Sequence, residues 1–440
     1  MPNSAPIDRH VADAVVTCDG DSKVHLPGAV DVSAGRIVRV GPVGGAPDVD
    51  GTVYDHGGLL MPGLINAHAH TPMTLVRGAG DGLPLQRWLT EAMWPREGRM
   101  TPEDVWWGMV LGSAEMLAAG VTTSCEMYLF EDALVDAVRA TGGRLVMTPA
   151  ALSVLHGDAF GSDGDRLDAI AAFHAEHHDP LGRVTVGVAP HSAYDLGVGR
   201  VADLAELSRS IDAVLHLHVA ETRGESAALE AEYGRSIVQI LADHDVFAGR
   251  TLMAHGVWVD AEDIDILVST ETAVAHCPVS NMKLGSGVAP VAAMLDAGVT
   301  VALGTDGPAS NDTLDLWEEV KVAPLLARVN ALDPTVLPAG LVLEMATREG
   351  ANAVGLQNVG SLVAGMAADM IRIDLGHPSF TPVTCTDELL AHLVWAGSSR
   401  SVTDVWVQGE RVVEARVVQT VDVERARAEV QNRAERLAGA

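Results

Sequence analysis

The sequence predicts an α/β protein: a (β/α)8, TIM-like barrel joined to a small β-sandwich domain built from both chain ends. Three observations predict it. Eight short apolar runs recur through the middle of the chain, each followed by a helix-like segment. Such alternation means parallel strands with crossover helices, and eight of them in about 300 residues fit a barrel. The two ends share a different texture, rich in Val and Gly with turn clusters. Neither G-x-G-x-x-G nor G-x-x-x-x-G-K-[ST] occurs, which removes the usual mark of a doubly wound nucleotide-binding sheet.

In chain order, residues 1–60 read as short strands: VADAVVTC, AVDVSAGRIVRVG and GTVYDHGGLL. The eight runs follow: 63–70 (GLINAHAH), 121–128 (VTTSCEMY), 144–151 (RLVMTPAA), 184–192 (VTVGVAPHS), 214–222 (VLHLHVAET), 251–257 (TLMAHGV), 273–281 (AVAHCPVSN) and 299–307 (VTVALGTDG). PEDVWWGMVLGSAEMLAAG and VADLAELSRSID are among the helical segments between them. The gap from Thr71 to Gly120 is long, and long loops in compact domains tend to be functional. Residues 366–418 return to the texture of the N-terminus, and Val421 to Leu437 form a charged amphipathic helix for the surface. The expected domains are therefore 1–60 with 361–420 as the small domain, 61–360 as the barrel, and 421–440 as a C-terminal helix. Length alone gives a prior of two to three domains, at about 150 residues each.

Composition excludes several classes. The 440 residues carry 29 basic and 59 acidic side chains, a formal charge of −30. That argues against nucleic acid and against anionic lipid as partners. No run of 18 apolar residues is present to span a membrane. The N-terminus shows no basic segment followed by an apolar stretch, and the four cysteines (Cys18, Cys125, Cys277, Cys385) form no C-x-x-C. Reduced thiols in a cytoplasm are the expectation.

Reactive groups in such a barrel sit at the C-terminal ends of strands. Read in order, those ends carry His68 and His70, then His191, His218 with Glu221, His255, His276 and Asp306. His68 and His70 are two apart, so with Asn66 they share one side of a strand. With 17 histidines in the chain, one H-x-H arises by chance about 0.7 times, so the pair says little alone. The coincidence across strands says more, because ionisable groups inside a barrel are costly unless paired or metal-bound. Three imidazoles and a carboxylate suit Zn²⁺, with Fe²⁺ or Mn²⁺ as substitutes. His216 and His218 share a face, so either could be the ligand. Glu221, three beyond His218, favours His218 and leaves His216 as a buried, hydrogen-bonded core residue. His174, His177 and His178 lie in a helical pattern and read as a solvated face.

At these residues the chain resembles the amidohydrolase superfamily, over essentially its whole length. MPGLINAHAHTPMTLVRG resembles the first-strand motif; HLHVAET, MAHGV, HCPVSNMKLGSG and LGTDGPASN resemble the later ones; GSLVAGMAADMIRIDL resembles the return to the small domain. The closest likeness is to the branch of methylthioadenosine/S-adenosylhomocysteine deaminases and triazine chlorohydrolases. The resemblance implies His68, His70, His218 and Asp306 as ligands of one divalent metal, with Glu221, His255 and Asp306 handling protons and water. It implies hydrolytic removal of an amino group from an aminoheterocycle by metal-bound hydroxide. It also implies a homo-oligomer, dimer or tetramer. Two-metal relatives commonly bridge their ions with a modified lysine on strand four; the three lysines, Lys23, Lys283 and Lys321, lie elsewhere.

The segment LPLQRWLTEAMWPREGRM resembles the deaminase loop that covers a nucleoside. That likeness places Trp88 on the 5′-substituent, Glu97 on the ribose hydroxyls and His191 on sugar or purine. Deaminases of S-adenosylhomocysteine carry arginines after strand three for its carboxylate. Here Pro149 replaces one and only Arg166 remains as a candidate, which disfavours that substrate. The expectation is the 6-amino group of 5′-methylthioadenosine, adenosine or another 5′-modified adenosine. The alternatives are a triazine-type hydrolase and a deaminase of guanine, pterin or cytosine.

Overall fold

The apolar runs of the middle become parallel strands because both of their faces are covered, which removes any need for polar alternation. A computed structural model describes residues 5–21, 23–153 and 163–439. The strands are β1 (Leu64–Ala69), β2 (Val121–Tyr128), β3 (Arg144–Ala151), β4 (Val184–Val186, continued by Ala189–Pro190), β5 (Leu215–Val219), β6 (Thr251–His255), β7 (Ala273–His276) and β8 (Val301–Leu303). They form two parallel arcs, β4-β3-β2-β1 and β5-β6-β7-β8. The arcs meet at single parallel bridges, Val188 with Leu215 and Ala69 with Asp306. The second bridge sets the end of β1 beside the residue that follows β8. All eight predicted runs contain strands; His255 and His276 end β6 and β7, while His70, His191, Glu221 and Asp306 stand just past the ends of β1, β4, β5 and β8.

Both chain ends contribute to one seven-stranded sheet, in which Leu59–Pro62 pairs antiparallel with Met370–Ile373. A four-stranded sheet of Arg36–Pro42, Gly28–Ser33, Asp8–Ala12 and Val53–Asp55 accompanies it. One buried cluster draws on both sheets: Val30, Val32 and Ile37 from one, Val15, Leu60, Met370 and Trp406 from the other. A buried ion pair of 2.9 Å between Arg144 on β3 and Asp369 links the strand arcs to these sheets.

Between β1 and β2 the sequence suggests a loop, but the chain is largely helical. Turns at Thr71–Val76 and Leu85–Arg87 lead into a π-helical stretch at Trp88–Met93 and a short helix at Trp94–Glu97. Helix α1 (Pro102–Ala118) follows, begun by a capping box between Thr101 and Asp104. The C-terminal helix α2 (Val423–Ala438) packs on α1 through buried Ala426, Val430 and Leu437, one stripe at helical spacing. Its Arg433 and Arg436 both reach fully buried Asp104.

The histidines of the Asp163–His177 helix correct another expectation. They are half-buried rather than solvated: His177 meets Asp132 at 3.2 Å, and His178 Nδ1 accepts the Val186 amide at 3.1 Å. The helix needs these contacts to close over β4.

Candidate active site

Four imidazoles converge at the strand ends, and each is oriented through its Nδ1. His70 Nδ1 donates to the Met127 carbonyl at 2.6 Å and His218 Nδ1 to the His191 carbonyl at 3.0 Å. His255 Nδ1 lies 3.0 Å from Asn281 Oδ1. The fourth orientation runs through a relay. The Thr148 hydroxyl donates its single proton to the Glu126 carbonyl at 2.8 Å, so it accepts from His216 Nδ1 at 3.0 Å. His216 Nε2 is then an acceptor, and His68 Nδ1 donates to it at 2.8 Å. Every Nε2 is left unprotonated and turned toward the same space. His216 is the core residue the sequence suggests, but its bond also fixes the tautomer of His68.

Asp306 faces these nitrogens. Its Oδ1 lies 3.4 Å from His68 Nε2 and 3.3 Å from His70 Nε2, and His70 Nε2 lies 3.3 Å from His218 Nε2. A tetrahedral site with bonds of about 2.05 Å has edges of about 3.3 Å. Candidate ligand atoms of His68, His70 and Asp306, and of His68, His218 and His255, each fall within 4.8 Å of one another. His68 Nε2 is buried and has no hydrogen-bond partner. Such an orphan is costly unless something else satisfies it. The residues present therefore fit a divalent metal ion.

Asp306 is held ionised. Burial opposes its charge, but the close approach of His68 and the neighbouring His70 and His255 draw its pKa well below the usual carboxylate range. Ser280 and Ser310 donate to Oδ2 at 2.6 and 2.7 Å, leaving Oδ1 for the cluster. Burial pushes His68 down to about 3 and His218 well below its ordinary value, which keeps these two rings neutral. Both Asp306 (φ 62°) and His255 (φ 74°) sit in the left-handed region, a strain that tends to collect where side chains must be aimed.

Glu221 has the opposite character. Burial first, and then the charge of Asp306, push its carboxyl up to about 8. Its Oε2 lies 3.7 Å from His255 Nε2, and Ser286 donates to its Oε1 at 3.3 Å. A neutral acid thus stands beside the His255 imidazole at the edge of the cluster.

The pocket in front of these groups is lined by His70, His191, His218, Glu221, His255 and Asp306 on one side, and by Trp88, Glu97 and apolar residues on the other. Glu97 accepts the Tyr128 hydroxyl at 2.8 Å, and burial raises its pKa. Trp88 is buried, with its indole N–H on the Ala79 carbonyl at 3.3 Å. Arg166 does not line this pocket; it pairs with Glu131 at 2.9 Å and donates to the Ala150 carbonyl at 2.8 Å. His276 is buried at the end of β7, outside both ligand triads. Residues 154–162, downstream of β3, lie outside the described residues. Sequence reasoning missed Thr148, Ser280, Asn281, Ser310 and Tyr128. Ser280, Asn281 and Ser310 lie inside the motifs HCPVSN and GTDGPASN, which was the signal for them.

Residues 59–412 match the amidohydrolase family model. A 5-methylthioadenosine/S-adenosylhomocysteine deaminase of Pelotomaculum thermopropionicum is 40% identical, covering 96% of this chain and 97% of its own. A 5′-deoxyadenosine deaminase of Methanosarcina mazei is 38% identical, covering 96% of each. Among solved structures, an adenosine deaminase from Xanthomonas campestris with bound zinc aligns with TM-score 0.93 and 32% identity, over 98% of this chain and 99% of that one. An atrazine chlorohydrolase from Arthrobacter aurescens, complexed with zinc, aligns with TM-score 0.87 at 24% identity, over 97% of this chain and 100% of that one, which is a likeness of fold.

Proposed function

The chain belongs to the amidohydrolase family, and from that premise we propose that it is a hydrolytic deaminase of adenine nucleosides. The observation that carries the reading is the placing of Glu221, a buried acid that keeps its proton up to about 8, with its Oε2 3.7 Å from His255 Nε2 at the edge of the histidine–aspartate cluster. His68, His70, His218 and Asp306 would hold one divalent ion, Zn²⁺ in first place. When bound, such an ion acts as a Lewis acid and acidifies water at neutral pH. The protein groups do the rest. Glu221 donates its proton to the ring nitrogen beside the carbon that bears the amino group, making that carbon electrophilic. His255 takes a proton from the attacking water through Nε2, because Nδ1 is engaged with Asn281. Asp306 holds that water in line through Oδ1. His255 then passes that proton to the amino group, the proton remaining on the added hydroxyl returns to Glu221, and ammonia leaves as the 6-oxo product forms.

Glu97 would accept the ribose hydroxyls, Trp88 would cover the 5′-group, and His191 would lie against sugar or purine. The 5′-group would be uncharged: methylthio, hydroxyl or hydrogen. No lysine or arginine lies between Arg144 and Arg166, and Arg166 is committed to Glu131. S-adenosylhomocysteine is thereby disfavoured. The two strand arcs read as one eight-stranded barrel over residues 61–360. The end sheets (1–60 with 361–420) read as a small sandwich, with 421–440 as an appended helix. The assembly is taken to be a dimer or tetramer in the cytoplasm. No helix among the described residues is long and apolar enough to cross a membrane.

The test is ammonia release by zinc-loaded protein from methylthioadenosine, S-adenosylhomocysteine, adenosine, guanine, cytosine and melamine. Rapid release from the adenosines with uncharged 5′-groups is expected. Release from melamine or guanine alone would overturn the substrate, and silence from fully metallated protein would do the same.

A further inference from the structure

Glu221 is held in place by little of its own. Its carboxyl receives one hydrogen bond, 3.3 Å from Ser286. Its position beside His255 therefore depends on the backbone that carries it. That backbone is unusual. Strand β5 ends at Val219, and Ala220 then adopts a left-handed conformation with φ 55°. The Ala220 carbonyl accepts two amides from the segment after β6, Val257 and Trp258, each at 2.9 Å. The turn leaves the amides of Glu221 and Thr222 as consecutive donors without a strand partner. Consecutive amides in such a turn form an anion-binding concavity.

The occupant of this concavity is the carboxyl group of Glu225, whose pKa burial and then the nearby Glu221 push up to about 7. Its Oε1 accepts the Glu221 amide at 3.0 Å and its Oε2 the Thr222 amide at 2.7 Å. Oε2 also lies 3.4 Å from the Thr222 hydroxyl, and the Glu225 amide returns to the Thr222 carbonyl at 3.4 Å. A five-residue loop is thus closed on itself, with its two ends on one carboxylate. We infer that Glu225 is a positioning residue, which fixes the backbone of Glu221 so that the Glu221 carboxyl meets the substrate ring nitrogen. The inference rests on the role given above to Glu221, and it adds a residue that touches neither substrate nor metal.

The geometry sets what each substitution does. Alanine leaves both amides to water or to nothing, and frees the turn. Glutamine keeps one carbonyl acceptor but presents an NH₂ group to the second amide. Aspartate keeps the charge but is one methylene too short to reach both donors. A shift of about 1 Å in a reacting group costs on the order of 10²-fold in rate. Substrate binding, made through the opposite wall of the pocket, is untouched.

The experiment compares Glu225→Ala, Glu225→Gln and Glu225→Asp with the parent, all full-length and zinc-loaded. Three readouts are taken: kcat and KM for the best adenosine substrate, bound zinc, and hydrogen exchange at the amides of Glu221 and Thr222. For Glu225→Ala, kcat should fall about 10²-fold with KM within about threefold, the split expected for a group used in the transition state. Zinc content should match the parent, and exchange at both amides should quicken. Glu225→Gln should recover part of the lost kcat. A Glu225→Ala protein with parental kcat, or one whose deficit lies in KM or in zinc, overturns the inference. Failure of the substrate reading would look different: the parent would release no ammonia from any adenosine. The exchange arm then still decides, since unchanged exchange at Glu221 and Thr222 overturns the clamp and quickened exchange supports it.

Discussion

The pocket has two walls made in different ways. One is the group of His68, His70, His218, His255 and Asp306 on the ends of strand segments. Every ring there has its Nδ1 engaged, and Asp306 has one oxygen engaged by two serines. The other is the helical excursion from Leu85 to Glu97, which lines the pocket with Trp88 and Glu97 among others. It is secured from outside. Tyr128 holds Glu97, and the Arg99 guanidinium donates to the carbonyl of Leu437, near the far end of the chain. The strand wall is rigid because strands leave their ends no freedom. The helical wall is only as fixed as the elements leaning on it. Under the proposed function, chemistry falls on the first wall and substrate choice on the second, a division that lets one scaffold serve many substrates by loop variation.

The largest expected effect comes from the strand wall. Glu221→Gln removes the transferable proton while keeping size and hydrogen bonding, and kcat should fall about 10²- to 10⁴-fold. The parent's pH profile should carry the same information. A carboxyl raised to about 8 is protonated below that pH and loses its proton as the pH rises through it. The kcat/KM of the parent should therefore decline above about 8, and stopped-time ammonia assays across pH would show it. A Glu221→Gln enzyme with near-parental turnover would remove Glu221 from the chemistry and leave the strand wall as a metal site only.

A subtler change sharpens the same wall. Thr148 touches no ligand atom, yet its hydroxyl fixes the tautomer of His216 and, through it, that of His68. Thr148→Val keeps the shape and removes the acceptor, so His216 can turn its proton toward His68. Loss of such an outer partner costs about 10- to 100-fold in metal affinity. Competition with a chelator would measure it, and unchanged affinity would show that His68 is oriented by packing alone.

The two walls also differed in how far they could be read from sequence. A strand has a side-chain period of two, so H-A-H and H-L-H announce a shared face through their spacing alone. The ends of the eight runs located His68, His70, His218, Glu221, His255 and Asp306 without tertiary information. Thr148 and Glu225 were silent because a hydroxyl or a carboxylate acquires its role only when a turn or a neighbouring strand supplies its partner. The excursion at Leu85–Glu97 read as a loop for a related reason. Its helical turns are short, too short to stand alone, and are stabilised by burial of Trp88, Leu89 and Met93 in a cluster shared with α1 and α2. Those contacts are long-range, and local pattern does not carry them.

On the helical wall, Glu97→Ala should leave kcat nearly intact and raise KM for nucleosides. Two ribose hydroxyls without their acceptor cost about 1–3 kcal/mol, which is about 5- to 150-fold in KM. Free base substrates, which have no ribose, should be indifferent to the change. An unchanged KM for adenosine would break the division of labour between the walls.

The smallest effect on turnover, but a measurable one on stability, is expected at Asp104. This fully buried carboxylate caps α1 and holds Arg433 and Arg436 of α2. Burial opposes its ionisation, yet the bonds from Arg436 and Thr101 outweigh that and lower its pKa to about 2. A depressed carboxyl stabilises the fold above its unfolded pKa of about 4, and the stabilisation is lost as the pH falls through about 2. Asp104→Asn should cost about 1–2 kcal/mol at neutral pH, since it removes the shared carboxylate while Arg433 keeps Glu103 and Glu429 and Arg436 is half exposed to water. The variant's unfolding midpoint should then be lower than the parent's at pH 7, with the gap narrowing toward pH 2. Because α2 leans on the excursion rather than on the strand ends, KM for nucleosides should rise slightly while bound metal and kcat hold. Loss of metal in this variant would mean that the helical wall also supports the strand ends, and that the two walls are one structure.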